Sequence, residues 1–271
     1  MRITSLIDNY SQKGFRTEHG LSLYIQTRSG KNILFDMGQG HLLAENATQF
    51  GLSLRDIDFA VISHGHYDHG GGLSCFLKEN DMAPIYIRRE AFLPCYSRRD
   101  KHLHYLGLDI ALATERRLIL CKDKTHISND IIIFGNVTGK YPHPPANRFL
   151  KGIDKVSDDL FLHEQHLIIQ EGENVVLFCG CAHCGILNII DTATDILGRN
   201  PSHIIGGMHL AHSLIPQTEE KQLVDRLSLL LLEKGCKYIT MHCTGLPIYN
   251  QLSSIMQDRI SYLSCGDVVT L

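Results

Sequence analysis

The stretch His64-Gly65-His66-Tyr67-Asp68-His69, followed at once by Gly70-Gly71-Gly72, decides how this chain is read. Three imidazoles and a carboxylate fall inside six positions. Upstream, Asp58–Ser63 reads as a buried strand. Downstream, Gly70–Lys78 reads as a helix with a glycine-rich start. The cluster therefore occupies a strand-to-helix loop. Alternate residues of an extended loop point to one side, so His64 and His66 can grip one cation. Asp68 and His69 lie where the chain turns into the helix and can reach a second cation. The flanking glycines let the backbone approach closely. Imidazole with carboxylate suits Zn, Fe, Mn or Co. Two ions held ~3.5–4 Å apart can share a hydroxide and polarise a substrate oxygen.

Six residues cannot complete two coordination shells, so further ligands must come from elsewhere. His183, in Gly180-Cys181-Ala182-His183-Cys184-Gly185, and His242, in Met241-His242-Cys243-Thr244-Gly245, are the leading candidates. Cys181 is either a thiolate ligand or an ordinary core residue. His209, in Gly206-Gly207-Met208-His209-Leu210, is placed against substrate rather than metal. Asp36, His64, His183, His209 and His242 all follow the ends of apolar strands. If those ends meet at one sheet edge, they line a single cleft.

The rest of the chain supports two mixed sheets packed together with helices outside. Strands are expected at Leu21–Thr27, Asn32–Phe35, Pro84–Ile87, Ile131–Phe134, Leu160–Gln170, Asn174–Cys179, His203–Ile205 and Lys237–Met241. Helices are expected at Gly185–Leu197 and Thr218–Lys234. Gly139–Pro145, with three prolines, must be loop. Residues 95–130 are polar and read as a lid or insertion within one domain spanning 1–271.

The chain has 271 residues, 44% of them hydrophobic, enough for one large core. A formal net charge of -3 forces no basic face, so nucleic acid is not an implied partner. No apolar run is long enough for a membrane span. The first ten residues lack the basic start and apolar block of an export signal, so a cytoplasmic location is expected. Nine cysteines cannot all pair within the chain, and reduced thiols are the expected state. The oligomeric state stays open, a homo-oligomer included.

Ser63–Leu73 resembles the His-x-His-x-Asp-His signature of the metallo-β-lactamase superfamily. Leu34-Phe35-Asp36-Met37-Gly38 is similar to its first motif, whose Asp supports the metal loop by hydrogen bonding. Phe178-Cys179-Gly180-Cys181 falls where many members carry a bridging Asp; here the position is Cys181. His242 resembles the last His ligand. Further stretches, including His19-Gly20-Leu21-Ser22 and Asp158-Asp159, resemble the subgroup that contains the archaeal 7,8-dihydropterin-6-yl-methyl-4-(β-D-ribofuranosyl)aminobenzene 5'-phosphate synthase. The resemblance implies an α+β, four-layer αββα sandwich with the metals at one edge between the sheets. It implies two divalent ions, zinc first, with iron or manganese also suited. The ligands would be His64, His66, Asp68, His69, His183, His242 and Cys181, with Asp36 behind them.

Three functions compete. A two-metal hydrolase would attack a phosphoester or ester-like small molecule with a bridging hydroxide, Asp68 orienting the nucleophile and His209 serving as acid or oxyanion partner. A synthase-like transferase would stabilise a departing pyrophosphate; Arg98, Arg99 and Lys101 could offer charge for a phosphate, but solvated loop charges are the favoured reading of that run. A non-catalytic metal or redox sensor would use Cys179, Cys181 and Cys184. Fold and metal site alone do not choose the substrate.

Overall fold

A computed structural model of the chain describes residues 1–99, 102–211 and 214–271. Two seven-stranded sheets dominate it. The first runs, in spatial order, Val268–Thr270, Arg2–Ile7, Ser22–Gln26, Asn32–Phe35, Phe59–Val61, Ile85–Arg88 and Leu118–Cys121. The second runs Ile260–Tyr262, Lys237–Thr240, His203–Gly206, Asn174–Phe178, Gln165–Glu171, Ile131–Gly135 and Lys124–His126.

Strand alternation builds the layers. Ile33 and Phe35 face the second sheet and pack with Ile131, Ile133, Val176 and Phe178; the Phe35 and Phe178 rings lie 5.9 Å apart. Between them, Leu34 faces outward onto the helices Leu42–Gln49 and Leu73–Glu79. On the second sheet Ile132 and Phe134 face outward onto Ile186–Leu197, Gln217–Glu233 and Leu246–Met256. Strands buried on both faces read as unbroken apolar runs, which is why Ile131-Ile132-Ile133-Phe134 shows no polar alternation. The result is the four-layer αββα sandwich that the resemblance implied. Among the described residues no helix is long and apolar enough to cross a membrane.

Strand direction places the site. Asn32–Phe35, Phe59–Val61, Ile85–Arg88 and Leu118–Cys121 run parallel. So do Asn174–Phe178, His203–Gly206, Lys237–Thr240 and Ile260–Tyr262. Parallel neighbours end at the same edge, and a crevice outside their carboxyl ends is where such folds bind ligands. The loops after five of these strands carry Asp36, His64, His183, His209 and His242.

Several expected elements shift. The helix read over Gly70–Lys78 is two pieces, Tyr67–Gly70 and Leu73–Glu79. Gly72 breaks it because its N–H donates to Gly38 O and its Cα lies so close to Met37 that a Cβ would meet Met37 O at 2.1 Å. The strand read over Leu160–Gln170 begins only at Gln165. Phe161 has φ +52, and the preceding segment is spent on the site instead. The segment 95–130 divides: Tyr96–Arg99 and His102–Tyr105 form a hairpin with Leu150–Lys151, whereas Leu118–Cys121 and Lys124–His126 are edge strands of the two large sheets. Of the expected basic run, Arg98 donates to Lys155 O at the surface. Lys101 and the Arg99 side chain lie outside the described residues.

Candidate metal centre

His64, His66, Asp68, His69, Cys181, His183 and His242, expected as ligands, come together at this edge, buried. Several groupings carry the geometry, and one of them, Cys181, His183 and His209, brings His209, expected against substrate, within 4.8 Å of potential ligands. One ligand atom from each of His64, His66 and His183 lies within 4.8 Å of the others. The same limit holds for His64, His69 and Cys181, and for Cys181, His242 and Cys243. His64 Nε2 faces His66 Nδ1 at 3.1 Å, His69 Nε2 faces His242 Nε2 at 3.1 Å, and Cys181 Sγ lies 3.1 Å from His69 Nε2. Asp68 Oδ2 is 3.4 Å from His242 Nε2 and 3.8 Å from His69 Nε2.

The outer ring nitrogens are held from behind, and this fixes which nitrogen faces inward. Asp36 accepts from Ser63 N, from Ser63 Oγ and from His69 Nδ1, each at 2.7 Å. Because the Ser63 hydroxyl donates to Asp36, its oxygen accepts from His64 Nδ1–H at 2.9 Å. Asn147 Nδ2 donates to His183 O, so Asn147 Oδ1 is the acceptor for His183 Nδ1–H at 3.1 Å. Asn9 Oδ1 accepts from Gly20 N and, at 2.9 Å, from His242 Nδ1–H. Each inward nitrogen is thus left as a potential lone-pair donor. His183 Nε2 and His66 Nε2 are buried with no hydrogen-bond partner, a costly state for a polar atom unless something else satisfies it.

Electrostatics agree with cation binding. Burial and the neighbouring imidazoles push His64 and His183 well below the ordinary histidine value, and burial with His163 nearby pushes His66 down to about 3. These rings are neutral donors at ordinary pH. Burial alone would raise the Asp68 carboxyl, but His69, His242 and His19 together hold it well below the usual range. His242 is the exception: burial opposes its charge, yet the bond to Asp68 and the field of Cys243 lift it to about 9.

Residues not given a role in the site from the sequence complete the frame. His163 Nδ1 accepts from Gly65 N at 3.2 Å, leaving His163 Nε2–H to donate to Asp159 Oδ2 at 3.2 Å. Buried Glu164 accepts from His183 N at 2.7 Å and Cys184 N at 2.8 Å, pinning the Gly180–Gly185 loop. Asp8 accepts from His242 N at 2.6 Å. His19, noted only within a motif, reaches Asp68 Oδ2 with Nε2 at 3.3 Å. No spacing rule links residues 8, 9, 19, 147 and 164 to a site at 64–69; only the fold does. Backbone strain gathers here too. Asp36, Ala182, His209 and His242 have φ between +48 and +59, conformations that cost ~1–3 kcal/mol each and persist where surroundings over-determine them.

Outside the cluster the cleft encloses about 460 Å³. Tyr10, Tyr67, Leu106, Leu150 and Leu214 form apolar walls, and among the described residues that line it there is no Lys or Arg. His209 also lines it, with both ring nitrogens unpartnered and its ring 4.2 Å from that of His183. Cys179 and Cys184 belong instead to the apolar cluster under the outer helices.

Comparison with known proteins accords with this architecture. The model of the metallo-beta-lactamase superfamily matches residues 16–234. An uncharacterized protein of Methanocaldococcus jannaschii is 31% identical over 265 residues, covering 93% of this chain and 94% of that one. The 7,8-dihydropterin-6-methyl-4-(beta-D-ribofuranosyl)-aminobenzene-5'-phosphate synthase of the same organism is 24% identical, covering 99% of this chain and 96% of that one. The crystal structure of a metal-dependent hydrolase of the beta-lactamase superfamily is 27% identical, with a TM-score of 0.81, covering 100% of this chain and 99% of that one. Two sheets whose parallel strand ends converge on a His/Asp/Cys cluster, and a family match spanning most of that frame, have one explanation: the chain belongs to the metallo-beta-lactamase superfamily.

Proposed function

We propose that the protein is a metal-dependent hydrolase whose cluster holds two divalent ions, zinc first, and that it acts on a phosphoester or ester-like small molecule. The observation that supports this most is the pattern of ring nitrogens: outer ones tied to Asp36, Ser63, Asn147 and Asn9, inner ones turned to a common centre. His64, His66 and His183 would hold one ion, and Asp68, His69 and His242 the other, with Cys181 as a further potential ligand. When bound, such ions supply Lewis acidity and make hydroxide available near neutral pH. The chain's own residues do the rest. Asp68, steadied by His19, orients the attacking oxygen. His209 lines the cleft with both ring nitrogens buried and unpartnered, and would donate to a leaving group or a developing oxyanion that reaches it. The apolar walls of Leu106, Leu150, Leu214 and the two tyrosines exclude water and suit an uncharged body. With no cationic side chain among the described lining residues, a phosphate would have to be met at the metals rather than by a basic arm.

The transferase reading has one specific support, the synthase relative aligned over nearly the whole chain. In it the same residues would steady a departing pyrophosphate. Metal analysis and a substrate panel separate the readings. Purified protein should carry close to two ions per chain, and His66→Ala or Asp68→Ala should lower that number. An unchanged count in both variants would sink the site. Turnover of phosphodiesters, phosphomonoesters, thioesters or lactones supports the hydrolase. Absence of all hydrolysis, with turnover of a dihydropterin pyrophosphate, would replace it with the transferase.

A further inference from the structure

The cluster contains one potential donor that the expected ligand set does not include, Cys243. Among the described residues, buried cysteines mostly serve as small apolar core residues: Cys95, Cys179, Cys184 and Cys236 lie in one hydrophobic cluster and Cys121 in another. Cys181 and Cys243 are buried but lie in none of the three apolar clusters, and both line the cleft. Their sulfurs and a ring nitrogen of His242 all lie within 4.8 Å of one another.

The loop around Cys243 is shaped to its sulfur. His209 N–H donates to Cys243 Sγ at 3.2 Å, a bond that suits a sulfur carrying negative charge. Gly207 passes so close that a Cβ there would sit 2.3 Å from Cys243 Sγ. His242, with φ +49, turns the chain so that two consecutive residues, His242 and Cys243, present donors to one point.

We propose that Cys243 is a metal ligand, and that Cys181, His242 and Cys243 form a thiolate-rich half of the centre, opposite the all-nitrogen half of His64, His66 and His183. This rests on the reading that the cluster binds metal. On binding, each thiol releases its proton to solvent and its sulfur donates an electron pair to the ion. Sulfur donors favour thiophilic ions, so this half selects zinc, cobalt or cadmium over magnesium or manganese. The two halves therefore differ in hardness, and the soft half accepts cadmium more tightly.

Cobalt and cadmium ions alone test this. Metal-free wild-type protein, Cys243→Ser, Cys181→Ser and the double variant are titrated with Co²⁺. The near-ultraviolet sulfur-to-cobalt charge-transfer absorption and the number of bound ions are followed. Wild-type should bind two ions with strong absorption, each single variant should keep part of it, and the double variant should lose it. Cys243→Ser should also weaken Cd²⁺ binding at one of the two sites by at least the roughly 10–100-fold that loss of a supporting residue costs. A Cys243→Ser protein with wild-type absorption and wild-type Cd²⁺ affinity overturns the proposal. So does a Cys181→Ser protein with no remaining sulfur absorption, a readout that needs no change at Cys243. Either result, with two ions still bound by wild-type, leaves the metalloenzyme reading standing. A wild-type protein that binds no ion removes both.

Discussion

Asp36 never faces the cleft, yet Asp36→Asn should disable the metal centre without unfolding the protein. Asp36 accepts three hydrogen bonds of 2.7 Å, from Ser63 N, Ser63 Oγ and His69 Nδ1. An asparagine can keep the first with its amide oxygen. Its amide nitrogen then faces the other two, and it can only donate. His69 Nδ1 must become an acceptor, which moves its proton to Nε2, the atom facing His242. The Ser63 hydroxyl must also turn, and its O–H then points at His64 Nδ1, shifting that ring's proton to Nε2, beside His66. Two inward lone pairs become N–H groups from one isosteric change. A single supporting residue is worth about 10–100-fold in metal affinity. With two ligands affected together, the upper end is expected, about 100-fold or ~2.7 kcal/mol. Ser63→Ala disturbs only the His64 branch directly and should cost about 10-fold. The assay is competition for Zn²⁺ against a chromophoric chelator, with thermal unfolding of the metal-free proteins alongside. Metal-free Asp36→Asn should fold, losing ~1–3 kcal/mol for imperfectly matched buried groups. Wild-type zinc affinity in a folded Asp36→Asn protein would refute the lone-pair account.

Three other outcomes follow from the same geometry. Asn147→Ala leaves His183 Nδ1 without its acceptor, so zinc affinity should fall roughly 10-fold with Cys181 and Asp68 untouched; an unchanged binding isotherm would contradict it. Gly180→Ala would put a methyl group 2.1 Å from Ser63 Oγ and 3.0 Å from His64 Nδ1, an overpacking expected to cost ~1–3 kcal/mol in urea unfolding and to reduce bound metal, whereas wild-type stability would show the loop to be looser than described. In metal-free protein, His64, His66 and His183 are depressed in the fold, so the unfolded chain takes up more protons below their ordinary value of 6.5 and stability falls as pH drops from there toward the value of about 3 at His66. His242, raised to about 9, acts oppositely: its contribution is complete below 6.5 and is lost as pH rises through 9. Denaturation midpoints should therefore decline on both sides of neutrality, and a flat profile between about pH 5 and 7 would count against buried neutral imidazoles.

Much of the site is written locally. His64, His66, Asp68 and His69 occupy one loop, and neighbours in sequence must be neighbours in space, so their shared chemistry is legible without a fold. The apolar runs that precede Asp36, His183, His209 and His242 are equally plain, because a doubly buried strand must be apolar throughout. Short terminal strands such as Ile260–Tyr262 and Val268–Thr270, and the helix Leu42–Gln49, give weak patterns and emerge only from pairing and packing. Only the tertiary structure decided that the five strand ends share one edge, since parallel register between distant segments depends on long-range contacts that no local pattern encodes. It also decided that Asn9, Asn147 and Glu164 hold the His loops from behind, and that Cys181 turns toward Cys243 while Cys179 and Cys184 turn into the core. Of four cysteines alike in sequence, Cys181 and Cys243 thus come to line the cleft and Cys179 and Cys184 to lie in the apolar core, because burial beside imidazoles and burial beside leucines are distinctions made only when the chain closes on itself.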